Sequence, residues 1–226
     1  MPNVLTSETV KQYGAEAGAN IVGIARAEDF SQAPEGTRPE DTLQGCRSVV
    51  VLGVPFPEEA LSLDPPGYTE LRNAILTKMT DIAKKTAKRI LADGYAAKAV
   101  SASGGKSVNG VMVGHISLKH AAEIAGIGVI TRNYLLTSPR YGNLLWLSAV
   151  LTDAALIPDK RMEYAICDGC GLCVDACPSG ALQNPGTVVK SDCRKYFVIE
   201  NKKLVIKCFQ CRSVCPYRFG MQAVQP

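Results

Sequence analysis

Nine cysteines are the residues of this 226-residue chain whose spacing points most clearly to chemistry, and eight of them lie between positions 167 and 215. Four form a run with the spacing C-x2-C-x2-C-x3-C-P: Cys167, Cys170, Cys173 and Cys177, followed by Pro178. Thiolates at this spacing are typical ligands of iron–sulfur clusters. On a tight turn that we expect Gly169 and Gly171 to allow, three of them reach three corners of one 4Fe–4S cube. The fourth ligand of that cube must come from elsewhere in the chain.

A second cysteine group supplies it. The group repeats the x2 and x3-C-P spacings: Cys208, Cys211 and Cys215, followed by Pro216. The cysteine expected before Cys208 is displaced upstream to Cys193. When two clusters are present, the last cysteine of such a run ligates the opposite cluster. The predicted ligands of cluster I are Cys167, Cys170, Cys173 and Cys215, and those of cluster II are Cys177, Cys193, Cys208 and Cys211.

Two other uses of eight cysteines fit less well. Zinc sites with four thiolates usually present paired C-x2-C knuckles and not a triple that ends in C-x3-C-P. A disulfide framework needs an oxidising compartment, whereas residues 1–8 have neither the basic nor the apolar region of an export signal. The ninth cysteine, Cys46, is interpreted as a small buried hydrophobe.

Composition narrows the class of protein. The chain is 46% hydrophobic and 20% charged, which is typical of a globular protein. Its apolar stretches are shorter than the roughly 20 residues of a membrane-spanning helix. We therefore expect a cytoplasmic protein without a membrane partner.

The formal charge of +4 is unevenly distributed. Residues 187–226 hold eight Lys and Arg against two Asp and Glu, while residues 1–186 hold 17 against 19. Two 4Fe–4S clusters with their thiolates bring about four negative charges, which this basic segment offsets. Since no basic motif interleaved with aromatic residues accompanies it, we expect no DNA partner.

The segments that must position the cysteines alternate between helix and strand. The predicted helices cover residues 6–17, 69–92 and 117–125, and the predicted strands cover residues 20–25, 48–54, 95–101, 133–137 and 144–152. The β-branched run at 48–54 suits a strand buried on both faces, and four prolines predict a loop over 55–68. Residues 1–160 are predicted to form an α/β layered domain and residues 161–226 a second, cysteine-dense domain.

From position 115 to 216 the sequence resembles the epoxyqueuosine reductases and the corrinoid-dependent reductive dehalogenases. The matching segments are both cysteine groups, Arg194-Lys-Tyr-Phe197, Ala125-Gly-Ile-Gly128, Arg132-Asn-Tyr-Leu-Leu136, Ser138-Pro-Arg-Tyr-Gly142 and Val150-Leu-Thr-Asp-Ala-Ala-Leu156. The resemblance implies an α+β protein in which a nitroreductase-like α/β domain precedes a two-cluster ferredoxin-like module. It also implies a cobalamin between the two domains, bordered by Arg132, Asn133 and Tyr141.

Three departures from the family pattern bear on the reaction. Thr131 stands where the families' loop has its third glycine, and its Cβ limits how closely a ligand approaches the backbone. Gly67-Tyr68-Thr69 aligns with the Asp-Tyr-His triplet that supplies a proposed acid in the epoxyqueuosine reductases. The chain ends 11 residues after Cys215, so we expect neither the helical repeats that help those reductases hold tRNA nor tRNA as a partner. His115 and His120 are five positions apart and predict no paired metal site.

We therefore predict an oxidoreductase, similar to the epoxyqueuosine reductases, that passes low-potential electrons through two 4Fe–4S clusters to a cobalamin or, as a second choice, to FMN. The expected partners are a redox protein or a corrinoid protein. Two alternatives stay open: an electron-transfer ferredoxin without substrate chemistry of its own, and a flavin-binding nitroreductase-like protein.

Overall fold

The computed structural model of the protein describes residues 4–101, 105–108, 111–163, 166–167, 169–183 and 187–221, with backbone alone at 106–108 and 111–113. The helices are α1 (Ser7–Ala17), α2 (Pro39–Thr42), α3 (Pro65–Ala92), α4 (Leu118–Ile124), α5 (Leu172–Asp175), α6 (Lys190–Arg194) and α7 (Gln210–Ser213). The strands are β1 (Ile21–Arg26), β2 (Ser48–Pro55), β3 (Ala97–Val100), β4 (Lys106–Val108), β5 (Val111–Val113), β6 (Val129–Ile130), β7 (Leu136–Thr137), β8 (Leu145–Thr152), β9 (Phe197–Glu200) and β10 (Lys203–Ile206). None of the helices in these described ranges is long and apolar enough to span a membrane.

The chain divides into two compact units, and each is discontinuous in sequence. The first, here called the sheet unit, comprises Met1–Val54, Leu76–Ile127 and Trp146–Met162. The second, here called the cysteine unit, comprises Pro55–Ile75, Gly128–Leu145 and Glu163–Pro226. The uneven distribution of cysteines predicts a single division after residue 160, whereas the contacts group residues 55–75 and 128–145 with the cysteine-bearing segment.

The sheet unit is built on a four-stranded sheet with the order β1-β2-β8-β3. Strand β1 runs antiparallel to β2 with Ile24 opposite Val50, and β3 runs antiparallel to β8 with Ala99 opposite Val150. Every residue of β2 except Pro55 is buried, which confirms the predicted strand with two covered faces. The strands therefore form the centre of this unit's apolar core.

Helix α1 begins where its sequence predicts, and helix α3 packs as its periodicity predicts. The Thr6 hydroxyl caps α1 by accepting the N–H of Thr9 at 3.2 Å. Gly14 lets this helix approach the sheet, since a Cβ there would lie 2.7 Å from Leu52 Cδ2. Along α3, apolar residues at helical spacing such as Met79 and Ile90 are fully buried while the lysines at 84, 85 and 88 are exposed.

The prediction of a loop over residues 55–68 is wrong in part. Residues Glu58–Ser62 form a 3-10 helix, and α3 already begins at Pro65. Prolines are tolerated in the first turn of a helix because the N–H groups there have no partner inside the helix. Asp64 supports this start, since its Oδ1 accepts the N–H of Gly67 at 2.9 Å.

The cysteine unit contains short, irregular elements. Ile130 pairs with Leu136 across β6 and β7, and the predicted turn at Ser138–Gly142 is closed by two reciprocal backbone hydrogen bonds of 2.8 Å. The strand predicted over 133–137 is confined to β7, because Tyr134 takes a φ of +60° in a turn and donates its N–H to the Thr131 carbonyl.

Candidate metal centre

The first cysteine group starts in a loop and ends at a short helix. Cys167 and Cys170 lie in the loop, where the Cys170 N–H donates to the Cys167 carbonyl at 3.3 Å, and Cys173 lies in α5. Gly169 has a φ of +65°, so the expectation that this turn uses a glycine is confirmed at that position. Gly171 has a φ of −123°, which any residue adopts, so the same expectation is wrong there.

Cys215, which lies far from this group in sequence, shares a pocket of the cysteine unit with it. The pocket is lined by four cysteines and seven other residues: Cys167, Cys170, Cys173, Cys215, Thr131, Arg132, Asn133, Ile166, Leu172, Pro216 and Tyr217. The four cysteines are those that the spacing predicts for cluster I. Four cysteines that line one pocket provide the number of thiol donors that a cubane cluster requires.

These thiols disfavour one another's ionisation. Burial raises the pKa of Cys173, and the negative charges of Cys167, Cys215 and Cys170 raise it further. Burial also raises the pKa of Cys215, to which Cys167 and Cys170 add. A bound metal group reverses this balance because its positive charge stabilises the thiolates.

The four cysteines predicted for cluster II also influence one another. Cys193 lies in α6 and Cys211 in α7, while Cys177 and Cys208 lie in the coil beside α5 and α7. Although Cys193 as a whole is exposed, partial burial of its thiol raises its pKa, with additions from Cys208 and Cys177. Burial likewise raises the pKa of Cys211 to about 11; Arg212 opposes this, and Cys208 and Cys193 add to it.

Cys177 differs from the other buried thiols. Its burial works against ionisation, but hydrogen bonds from the backbone and hydroxyl of Ser179 and the backbone of Leu182 and Ala181 outweigh that cost. The pKa of Cys177 is therefore lowered. Donors gathered around a sulfur favour its thiolate, which is the form that binds iron.

The loop at residues 131–135 contacts both cysteine groups. The Arg132 N–H donates to Cys167 Sγ at 3.4 Å, and Asn133 Nδ2 donates to the Cys211 carbonyl at 3.0 Å. Asn133 Oδ1 accepts from the Thr131 hydroxyl at 2.8 Å and from the Leu135 N–H at 3.1 Å. Two of the three residues that the resemblance assigns to a corrinoid, Arg132 and Asn133, thus lie at the cysteine pocket.

Thr131 stands where the families have a glycine, and its side chain forms hydrogen bonds. Its hydroxyl lies 2.9 Å from the Thr137 hydroxyl and 2.8 Å from Asn133 Oδ1, and the residue is buried. A glycine would leave Asn133 without this donor. The substitution therefore holds the loop in place by a hydrogen bond that glycine cannot make.

Tyr141, the third residue assigned to a corrinoid, is not among the described residues that line the cysteine pocket. The Arg140 guanidinium lies 5.1 Å from the centroid of its ring. Asn143, which directly follows this turn, contacts the second cysteine group: its Nδ2 donates to the Arg212 carbonyl, and its own carbonyl accepts from Arg212. The sequence analysis missed Asn143 because no local motif marks it.

The triplet Gly67-Tyr68-Thr69, which aligns with the Asp-Tyr-His triplet of the families, packs against the second cysteine group. The Tyr68 ring stacks on Phe209 with centroids 4.0 Å apart and planes 10° apart. The Thr69 hydroxyl accepts the Ile206 N–H at 2.9 Å and donates to the Pro65 carbonyl at 2.7 Å. Both residues are buried, and Gly67 brings no carboxylate.

The remaining candidates lie in the sheet unit. His120 is exposed, with Nδ1 2.6 Å from the Ser117 hydroxyl, and the His115 carbonyl accepts from Thr42. Cys46 is half-buried, so the prediction of a buried hydrophobe holds in part; burial raises its pKa to about 11. Among the described residues, no group of three or more His, Cys, Asp or Glu side chains is arranged to hold a single metal ion.

A family model and a curated relative match parts of this chain. The 4Fe–4S binding domain model matches residues 163–183, which contain the first cysteine group. The epoxyqueuosine reductase of Bacillus subtilis is 35% identical over 121 residues, covering 49% of this chain and 31% of that protein. This relative is therefore matched over about a third of its own length. The predicted resemblance to the epoxyqueuosine reductases and the presence of an iron–sulfur binding segment are confirmed.

Solved structures share the fold. An epoxyqueuosine reductase with an epoxyqueuosine-modified tRNA-Tyr stem loop aligns with a TM-score of 0.61 and 20% identity, covering 93% of this chain and 64% of that one. A reductive dehalogenase whose structure suggested a mechanism for B12-dependent dehalogenation aligns with a TM-score of 0.72 and 20% identity, covering 96% and 32%. The mixed α/β fold of these proteins is thus present here.

Proposed function

We propose that this chain is an iron–sulfur reductase that holds two 4Fe–4S clusters and delivers low-potential electrons to a corrinoid, as the reductases it resembles suggest. The single observation that carries the proposal is the pocket shared by four cysteines from two distant segments. Its proposed cluster I ligands are Cys167, Cys170, Cys173 and Cys215, and the proposed cluster II ligands are Cys177, Cys193, Cys208 and Cys211.

The chemistry of the site fits the clusters. The sulfurs have N–H donors nearby, from Arg132 to Cys167 and from the residues after Cys177, and such hydrogen bonds tune the reduction potential of an iron–sulfur cluster. A bound cluster supplies one-electron transfer. The chain's own part is to supply thiolates, donate these hydrogen bonds and shield the sulfurs from water.

A corrinoid also finds suitable groups in the cysteine unit. Three buried polar atoms between positions 132 and 143 have no hydrogen-bond partner among the described residues: Arg132 Nε, Ser138 Oγ and Asn143 Oδ1. Buried polar atoms without partners are costly, and the amide groups on the rim of a cobalamin can satisfy both donors and acceptors. Of the residues proposed to border it, Arg132 and Tyr141 would bind and Asn133 would position the loop.

The substrate class proposed for the corrinoid chemistry is a modified nucleoside in tRNA, by similarity to the epoxyqueuosine reductases. The aligned acid is absent, because Gly67 stands in the place of its aspartate. A proton would therefore have to come from another group or from water. An electron-transfer protein without substrate chemistry remains the second candidate, favoured by the same missing acid.

Anaerobic reconstitution with iron and sulfide tests the proposal. Two clusters require about eight iron and eight sulfide per chain, whereas about four, or zinc in place of iron, would contradict the two-cluster assignment. Titration of the reconstituted protein with cobalamin, and separately with FMN, is then followed by absorbance. Retention of cobalamin with a cobalt that is reduced through the clusters supports the reductase, retention of FMN alone supports the flavoprotein, and retention of neither supports the electron carrier.

A further inference from the structure

The hairpin of β9 and β10 presents apolar side chains to solvent. Ile199, Leu204 and Phe197 are 70%, 39% and 38% exposed. The register places Leu204 opposite Ile199 and Ile206 opposite Phe197, so these side chains share one face of the hairpin. Grouped apolar side chains on a surface mark a site where another molecule binds.

Exposed basic residues lie on the hairpin or next to it: Arg194, Lys195, Lys202, Lys203 and Lys207. Two of them are neutralised, because Lys195 pairs with Asp192 at 2.8 Å and Lys207 with Glu200 at 2.6 Å. Within the described part of the chain, Lys202 and Lys203 form no ion pair. The turn end of the hairpin is therefore both apolar and positively charged.

The turn of the hairpin carries one of these lysines, Lys202, as a central residue. Asn201 and Lys202 have φ values of +50° and +64°, so both central residues of the two-residue turn are left-handed. Glycine is favoured at the second of these positions, because a residue with a Cβ is strained at a positive φ. Lys202 therefore places a positive charge at the tip of the hairpin despite its strained φ of +64°.

The hairpin also lies between two proposed ligands of cluster II. It follows Cys193, which is exposed, and precedes Cys208, and its base is closed by the Lys207 N–H donating to the Tyr196 carbonyl at 2.8 Å. The base of the hairpin, at Tyr196 and Lys207, is therefore within three residues of both proposed ligands in the sequence. This placement suits entry of electrons from outside.

We propose that this hairpin surface (Phe197, Ile199, Lys202, Lys203 and Leu204) docks an acidic one-electron donor protein of the ferredoxin type, which reduces the nearby iron–sulfur cluster. The proposal rests on the proposed function. One electron leaves the reduced donor and one enters the cluster, and no bond or proton is exchanged. An acidic protein complements the two unpaired lysines, and its apolar patch complements Ile199 and Leu204, which are aliphatic and stack poorly on RNA bases.

The test uses the reconstituted protein and a reduced plant-type 2Fe–2S ferredoxin, an acidic one-electron donor, as the probe. Cluster reduction is followed by stopped-flow absorbance for wild type, Lys202→Glu with Lys203→Glu, and Ile199→Gln. The matched control is Lys84→Glu with Lys85→Glu, the same charge change on exposed lysines of α3. Photoreduction with uncharged 5-deazaflavin reports whether the clusters of each variant are intact.

The hairpin charge reversal is expected to slow reduction by ferredoxin roughly tenfold at low ionic strength, with the difference closing at high salt. Ile199→Gln is expected to weaken binding roughly threefold to tenfold with little salt dependence. The α3 control and all deazaflavin rates are expected to match wild type. If deazaflavin reduces no cluster, the proposed function fails; if it reduces every variant and ferredoxin does not distinguish them, only the docking proposal fails.

Two other occupants of the hairpin surface are separate outcomes that overturn the proposal. Loss of anticodon stem-loop binding in the charge-reversal variant, measured by fluorescence anisotropy with ferredoxin rates unchanged, would assign the surface to RNA. A dimer in sedimentation velocity that Ile199→Gln converts to a monomer would assign it to a second copy of the chain.

Discussion

The four-stranded sheet of the sheet unit and the cysteine-bearing segment at residues 166–221 bury side chains to different depths. In the sheet, Val50, Leu52 and Leu151 are 0% exposed. In the segment, the buried apolar residues that the structure describes are few: Ile166, Cys173, Ala181, Leu182, Val205 and Ile206. The sheet is thus held by apolar burial, whereas a segment with so few buried apolar residues is expected to depend on metal ligation for its stability.

The first prediction separates the two regions by removing the metal. Stripping iron with a chelator under reducing conditions is expected to unfold residues 166–221, because metal binding contributes on the order of 10 kcal/mol to small metal-bound domains. Strands β2 and β8 are expected to keep their protection. Hydrogen exchange with mass spectrometry, on holo and apo protein, measures both. If residues 166–221 of the apo protein were protected from exchange as strongly as β2 and β8, the two regions would not differ in their dependence on metal.

The second prediction concerns Cys215, which is proposed to complete cluster I and follows the cluster II ligands Cys208 and Cys211. Cys215→Ser is expected to lower iron from about eight to four or fewer per chain. Cluster I loses one ligand, and the segment that holds the cluster II ligands Cys208 and Cys211 loses its attachment to cluster I. Cys46→Ser is the matched control and is expected to keep full iron. Iron analysis after reconstitution measures the effect, and equal iron in the two variants would count against the ligand assignment.

The third prediction tests apolar burial in the sheet. Leu52→Ala is expected to lower the free energy of unfolding by about 3 kcal/mol, from lost transfer energy and the cavity left behind. Leu91→Ala, at a site 53% exposed on α3, is expected to change it by less than about 0.5 kcal/mol. Trp146 in β8 is the only tryptophan, so its fluorescence in a urea titration reports the sheet.

The fourth prediction compares one polar side chain from each unit. Asn133→Ala removes the bond to the Cys211 carbonyl, and Ser48→Ala removes a buried hydroxyl that donates to the Ala154 carbonyl at 2.8 Å. Each is expected to cost about 1–3 kcal/mol in the holo protein. In the apo protein the Asn133 effect is expected to vanish and the Ser48 effect to persist. Thermal unfolding of both forms measures this, and a persistent Asn133 effect would show that its loop is ordered without metal.

The smallest expected effect is at Cys46, the thiol outside both ligand sets. Because burial raises its pKa to about 11, alkylation by iodoacetamide at pH 8 is expected to be roughly a hundredfold slower than for an unfolded thiol. The folded protein holds this proton more tightly than the unfolded chain. The resulting stability is complete below about pH 8.5 and is lost as pH rises toward 11. Peptide mapping across pH 8–10 measures the rate, and rapid labelling at pH 8 would contradict the burial.

Much of the fold follows from local pattern. The β-branched run of β2, the periodicity of α3 and the turn at Ser138–Gly142 all appear where the sequence predicts them. The start of α3 does not, because Pro65 and Pro66 break helices in the interior but are compatible with the first turn. Composition alone does not show whether a proline lies in the interior of a helix or in its first turn.

The sequence by itself predicted the proposed cluster ligands, Cys215 among them, because the thiolates that bind such clusters recur at characteristic spacings. Only the tertiary structure decided which distant groups meet them. Asn133 bonds to the carbonyl of Cys211, 78 positions away, and Asn143 bonds to the carbonyl of Arg212, 69 positions away. Such contacts depend on how the whole unit folds, and no periodicity or spacing in the chain records them.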